Sequence, residues 1–432
     1  MKFPLLTSLL RQLGRFLQHN EKLLLAILAM VIAVSGSLWY RQYFNLDNNG
    51  PVAGGTYVDG VVGTADELDA IAAKLTKSGL FKVDREGKIV NQLIDNWQVN
   101  ADNTKYTFDL KKNISSQEIA DQLNQNIELL GPAIVNDEGD GVITVALNAP
   151  NPNLPLLLTQ PLFDFGAYKL SKLSDTTAIF TRSTREYALT PYINKIVVHL
   201  FPDEALLIDA LNKKKIDGAR LEGDHVPDGY KQFSYSTPNY FAVIINVNRS
   251  PFRDTLFRQK VVQGKTVARA QVTLTVSDED QAKSYAPTVK KQWEKQGLVV
   301  TIQTKSADDI ANNIGPTRDF EALLTGISYG PELDPYYLWH SSQIRPPGNN
   351  LSGIKNDAAD KLIDQIESEY LIPERNKKIL LLHQQLASLG VLQIIGQVTR
   401  NIIVDNNVVP AAPYIPLSVR DRWQAIDQWY LK

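Results

Sequence analysis

The 432-residue chain contains no cysteine. That absence excludes disulfides, thiolate zinc sites, iron–sulfur clusters, a cysteine nucleophile and a lipid-modified N-terminal cysteine. Histidine is scarce as well, and His19, His199, His225, His340 and His383 lack the close pairing of a zinc site. His340 reads as a structural histidine. Neither charge is in surplus: 45 basic and 47 acidic residues leave a net charge of -2. A surface built to neutralise nucleic-acid phosphates needs a basic excess, so nucleic acid is not an expected partner. Gly-x-Ser-x-Gly, Walker and Gly-x-Gly-x-x-Gly motifs are missing too, and the aspartates carry no catalytic spacing, so no catalytic residue, metal or cofactor is expected.

Long apolar runs are also rare, with one exception. Leu23 to Tyr40 (LLLAILAMVIAVSGSLWY) is uncharged. At about 1.5 Å per residue it spans a ~30 Å hydrocarbon core. Lys2, Arg11, Arg15 and Lys22 precede it and only Arg41 follows closely, so the positive-inside bias keeps the N-terminus cytoplasmic and exports the rest. The run reads either as a retained anchor or as a cleaved signal with small residues near Ala33 to Ser37; its length favours the anchor. Leu5, Leu6, Leu9, Leu10, Leu13, Phe16 and Leu17 form a helical stripe ahead of it, suited to the inner membrane surface. The expected organisation is a cytoplasmic segment 1–22, an anchor 23–40 and a polar, Gly-rich linker 41–55 leading to a large exported part.

The exported part mixes β-rich runs with amphipathic stripes, which implies α/β architecture. Val272 to Val276 reads as a strand, 277–296 as a helix and Leu298 to Thr304 as a strand. Ser306 caps a short helix to Ile314, and Phe320 to Ile327 reads as a third strand. Strand–helix–strand repetition with short loops implies right-handed crossovers and a parallel sheet. Ligands bind beyond the carboxyl ends of such strands, which singles out Ser328 to Trp339. Ser115 and Glu118 fit a capping box, and Asn356 and Asp357 fit caps for the helix carrying Ala359, Ile363 and Ile366.

A series of segments, taken in order, resembles the peptide-type extracellular solute-binding proteins (family 5) that serve ABC importers. It runs from Gly60–Asp69 (GVVGTADELD) through Ser78–Asp84 (SGLFKVD), Trp97 and Tyr106–Leu110 (YTFDL) to Tyr168–Leu170 and Leu211–Asp217 (LNKKKID). It continues with Asn246, Pro251, Phe252, Asp254 and Arg258, with Gly326–Asp334 (GISYGPELD), and with His340–Ser341, Asn350–Gly353, Asp360–Leu362 and Pro413–Leu417. Two departures stand out. A His-Asp-Gly element is missing after Leu110, and only about a dozen residues separate Arg258 from the next strand, so the chain resembles an abbreviated member.

The resemblance implies the type II periplasmic-binding fold, two lobes with a hinge. Lobe one would span 56–245 with a small subdomain at about 78–160, lobe two 246–405, and 406–432 would return to lobe one. It also implies capture of a peptide or similar solute, through backbone hydrogen bonds to an added strand, for an ABC permease. Carried over, the backbone partners are Thr64, Ala65, Gly326, Ile327 and Ser328, with Tyr240, Tyr329 and Trp339 as aromatic walls and Tyr336 and Tyr337 as further candidates. Where relatives hold a ligand's amino group this chain has Gly330, so Glu332 or Asp334 is expected to pair with an ammonium, although Asp334-Pro335 equally suits a turn. Asn246 either bonds ligand or ties the hinge. The rival reading keeps the fold but makes it a degenerate domain, used as a sensor or envelope interaction module.

Overall fold

The structure is a computed structural model describing residues 51, 53–84, 86–221, 226–413 and 419–432. By contacts the chain divides into residues 1–52 with Lys432, and residues 53–431. The span expected at 23–40 and the stripe ahead of it lie outside the described residues, and among those described no helix is long and apolar enough to cross a membrane.

The unit 53–431 opens with β1 (Thr56–Val62) and α1 (Ala65–Thr76). A small antiparallel sheet follows: β2 (Ile94–Val99), β3 (Lys105–Leu110), then α2 (Ser116–Gln125), β4 (Ala133–Gly139) and β5 (Val142–Leu147), in the order β2-β3-β5-β4. The hairpin β6 (Tyr168–Ser174) and β7 (Thr177–Arg182) leads to β8 (Lys195–Phe201), α3 (Glu204–Asn212) and β9 (Gly218–Ala219). Then come β10 (Tyr230–Ile245), β11 (Ala270–Ser277), α4 (Asp280–Lys295), β12 (Leu298–Lys305) and β13 (Ala322–Ser328). Helices α5 (Asp357–Glu367) and α6 (Ile372–Ser388) precede β14 (Leu392–Asp405). The main sheet has ten strands in the order β12-β11-β13-β10-β14-β9-β1-β8-β7-β6.

Local chemistry accounts for these elements. In β11 both faces are buried, Val272, Leu274 and Val276 on one and Thr275 and Ser277 on the other, as a central parallel strand requires. On α4 the buried residues Ala282, Ala286, Val289 and Trp293 recur at helical spacing. Burying a side chain as large as Trp293 contributes a few kcal/mol, roughly the range for fully buried large side chains. Its indole N–H donates to Gln393 on β14 at 3.1 Å, so the polar edge is satisfied as well. Asn356 and Ser306 cap their helices as expected. At Ser115 half a capping box forms: its hydroxyl accepts from Glu118 N–H, but the Glu118 carboxylate turns to Arg185 at 2.8 Å instead of returning to Ser115.

The covalent connection between the halves of the sheet is β10 with β14. Tyr230–Ser236 pairs with Thr399–Asp405, and Tyr240–Ile244 pairs with Leu392–Gln397. Between the two stretches the register shifts at Pro238, which has no N–H for the ladder. Side chains fill the gap: Thr237 Oγ1 donates to Val398 O at 2.9 Å, and Gln397 Nε2 donates to Thr237 O at 2.8 Å.

Each half is covered on both faces. One cluster gathers Tyr57, Leu68, Phe180 and Ile196 with Trp423, Ile426 and Trp429, so the C-terminal segment packs against β1 and α1. Inside this half Arg422 pairs with Asp59, which also accepts from Tyr57 Oη at 2.8 Å, and Asp421 pairs with Lys74 at 2.8 Å. Breaking a buried ion pair from one side leaves an uncompensated charge, at about 3–5 kcal/mol. Arg422→Met is therefore expected to lower the chemical-denaturation stability by about that much, while adding Asp59→Leu recovers part of the loss. An unchanged midpoint in the single variant would show that the pair does not hold the C-terminal segment.

Candidate functional site

The parallel ladder between β11 and β13 runs from Leu274–Ala322 to Val276–Leu324 and stops there. On its other side β13 stays paired with β10 as far as Ser328 with Asn239. Among the described residues Thr325 to Ser328 therefore keep a backbone edge without a ladder partner, because the chain leaves β11 at Ser277 and turns into α4. Glu279, the residue before α4, stands over this edge: a Cβ built on Gly326 would lie 3.1 Å from its Oε2. A cleft of about 440 Å³ opens here, lined by Gly326, Ile327, Ser328 and Gly330 on one side and by Asn239, Tyr240 and Phe241 on another, with Glu279, Gln281, Val398 and Arg400 completing it.

Of the residues proposed from sequence, Tyr240, Gly326, Ile327 and Ser328 thus share one cleft. Glu279, Gln281, Asn239, Phe241, Val398 and Arg400 were not anticipated. Glu279 sits just past the carboxyl end of a parallel strand, so the rule that singled out residue 328 onward would also have found it. Arg400, on β14, is brought in by strand pairing alone.

The remaining candidates lie elsewhere. Thr64 and Ala65 stand exposed where β1 leads into α1, outside the residues lining the cleft. Asn246 is buried and follows β10 at the end opposite Ser328, about 20 Å along the strand at roughly 3.3 Å per residue. Its Nδ2 donates to the carbonyls of Arg318 and Phe320 at 2.9 and 3.0 Å, and its Oδ1 accepts from Asn248 N–H, so it ties a turn and touches no cleft. Tyr329 and Trp339 are interior instead of walls. Trp339 Nε1 donates to Tyr329 Oη at 3.1 Å, and that hydroxyl lies 2.6 Å from His383 Nε2. Burial holds the His383 imidazole down to about 4, hence neutral. A buried hydroxyl, indole and imidazole satisfying one another leave none for a guest.

Glu332 and Asp334 are also taken. After β5 the chain passes through Asn151–Asn153, whose Asn151 carbonyl is anchored by Tyr106 Oη of β3 at 2.7 Å. Asn151 Nδ2 donates to Glu332 at 3.0 Å, and Arg375 Nη2 of α6 donates to Asn153 Oδ1 at 2.7 Å. Tyr370 Oη donates to Pro152 O at 2.7 Å, and Leu156 enters the apolar cluster of α5 and α6. Asp334 accepts from Tyr336 N–H at 2.8 Å, a turn contact. The cation facing these acids is the fully buried Arg375, which desolvation draws down to about 10, with Asp334, Glu332 and Glu367 pulling the other way. Burial raises Glu332 and Asp334, and raises Glu367 to about 7 with help from the neighbouring carboxylates. Among the described residues Arg375 forms no ion pair with these acids, donating instead to backbone carbonyls and to Asn153, and acts on them through its field.

No family model and no curated protein sequence matches the chain. Solved structures do. An oligopeptide-binding protein of Bacillus subtilis in complex with a nonapeptide aligns over 89% of this chain and 100% of its own, at 15% identity and a TM-score of 0.53. A putative peptide-binding protein of Clostridium difficile aligns over 88% and 100%, at 14% identity and a TM-score of 0.66. A nickel ABC transporter structure from Bacillus halodurans aligns over 87% and 99%, at 11% identity and a TM-score of 0.68. The likeness is one of fold, an α/β periplasmic-binding-protein fold.

A carboxylate raised in the native state favours its protonated form, so its contribution is full below its unfolded value and is lost as pH rises through the native one. For Glu367 that window runs from roughly 4.5 to about 7. Glu367→Gln should flatten the fall in stability across the window by about 1 kcal/mol after solvent screening. Denaturation midpoints at pH 4.5 and 7.5 measure it, and equal slopes in both proteins would refute the assignment.

Proposed function

We propose that the chain is a membrane-anchored, extracytoplasmic solute-binding protein that captures a peptide or similar extended solute for an ABC-type importer. The observation that carries this reading is the unpaired edge of Thr325 to Ser328 in a cleft large enough for several backbone units. An extended ligand laid along that edge receives main-chain hydrogen bonds, which give affinity without demanding a particular sequence. Gly326, having no Cβ, lets a ligand backbone approach closely beside Glu279.

The two-strand connection suits hinge motion. At Pro238 the ladder between β10 and β14 is replaced by side-chain bonds, so rotation of one half against the other there disturbs few backbone hydrogen bonds. Closure then draws its free energy from the ligand binding the closed arrangement better than the open one. The charged groups lining the cleft are Glu279 and Arg400, and no histidine accompanies the Ser328 hydroxyl among the described lining residues, so the reading is capture rather than hydrolysis. Export and anchoring rest on the apolar run Leu23–Tyr40 and the lysines and arginines before it.

The rival, a sensor or interaction module on the same fold, is favoured by one observation: Asn151, Asn153 and Arg375 occupy the acidic loop where a ligand ammonium was expected.

Two measurements separate the readings. Mixed tripeptides to pentapeptides are expected to raise the unfolding temperature of the full chain in detergent. Gly326→Leu should weaken that binding at least tenfold by isothermal titration while leaving the ligand-free midpoint within about 0.5 kcal/mol, as for a surface change. Silence from every peptide would favour the interaction module, and full binding by Gly326→Leu would remove the β13 edge as the contact.

A further inference from the structure

We infer that the captured solute ends in a carboxylate and that Arg400 receives it, an assignment that rests on the cleft being the capture site. Arg400 lies on β14 two residues past Val398, so both side chains project from the same face of the strand, and both line the cleft. The guanidinium is only partly exposed, its Nε is closed off from solvent without a hydrogen-bond partner, and no ion pair reaches it among the described residues. An arginine cannot discharge itself by losing a proton, so a half-buried, unpaired guanidinium stays a standing demand for an anion.

The surrounding charges do not meet that demand. Tyr235, opposite Arg400 in the ladder, sits in the combined field of Arg400, Arg422 and Arg220, with Asp421 opposing. Asp59 is engaged by Arg422 and Tyr57, and Asp421 by Lys74. Glu279, the acidic residue among those lining the cleft, lies against Gly326 and forms no ion pair with Arg400.

A carboxylate fits because its two oxygens match the fork of a guanidinium, and because an extended backbone lying on the β13 edge ends in that group. The position is specific: along β14 from Gly396, which pairs with Phe241 and through it with Gly326, Arg400 is four residues further toward the other half of the sheet. That is about 13 Å along the strand at roughly 3.3 Å per residue, and two strand spacings of about 4.8 Å across the sheet from β13 through β10, a separation of about 16 Å that a solute of about five residues spans.

The test uses the full chain in detergent and two peptide mixtures, tripeptides to pentapeptides of the same composition, with free or amidated carboxyl ends. Titration calorimetry should show the free acids binding wild type at least tenfold more tightly than the amides. In Arg400→Gln the free acids should lose that advantage to less than threefold, with amide affinity unchanged, and Arg400→Lys should keep an intermediate preference. Denaturation midpoints confirm that the variants fold. Equal wild-type affinities for acids and amides overturn the assignment and leave the capture reading intact. Equal loss of both ligands in Arg400→Gln also overturns it, since the guanidinium would then be holding the cleft itself. If neither mixture binds wild type, the capture reading falls first and the assignment with it.

Discussion

Two strands, β10 and β14, are the constraint on which the rest of this molecule depends. They are the covalent crossings between the halves of a ten-stranded sheet, and each half buries its own clusters on both faces. A backbone ladder across the crossing is interrupted where Pro238 has no hydrogen to donate, and Thr237 and Gln397 supply side-chain bonds in its place. Each half thus has its own packed interior, and the ladder joining them is interrupted between Ser236 and Tyr240. Beside that place, β11 runs out before β13 does, and the shortfall leaves an edge, a cleft and two charged residues with different surroundings.

The joint between the small sheet and helices α5 and α6 works against an open cleft on the acidic side. Arg375 is fully buried there, touching Asn153 and the carbonyls of Glu369 and Leu333, while the carboxylates of Glu332, Asp334 and Glu367 share its field. Several half-buried acids around one arginine are stable only because carbonyls, amides and turn N–H groups satisfy what the arginine does not. What looked like a receptor for an ammonium is a structural seam. A cation of the chain shares its field, and the arginine proposed to receive a guest's carboxylate lies on β14 instead.

Much of the fold was legible in the residues. The run from Gln271 to Ser328 showed its strands, helices and parallel order because apolar periodicity and short connections leave few alternatives. Caps at Ser306 and Asn356 were readable from residue type and spacing. The strand-end rule located Gly326 to Ser328, yet not which of the following residues face the cleft. Tyr329 and Trp339 look the same in sequence whether they wall a pocket or fill a core, and the deciding partner, His383, lies 54 residues away. Asn246 sat in a motif that suggested ligand contact, but its amide closes a turn at the far end of its strand.

By itself, then, the sequence determined the secondary structure of the parallel region, the exclusion of thiol and thiolate-zinc chemistry, and the strand whose end would be open. Those follow from local periodicity, composition and chain connectivity, which are properties of neighbouring residues. Only the tertiary structure decided that Glu332 accepts from Asn151 and Asp334 from the Tyr336 N–H, that Tyr329 and Trp339 are core, and that Arg400 lines the cleft without an ion pair among the described residues. Whether a charged or aromatic group is free depends on the partners that distant segments bring within 3 Å or so of it, and hydrogen-bond satisfaction at that range cannot be read from spacing along a chain.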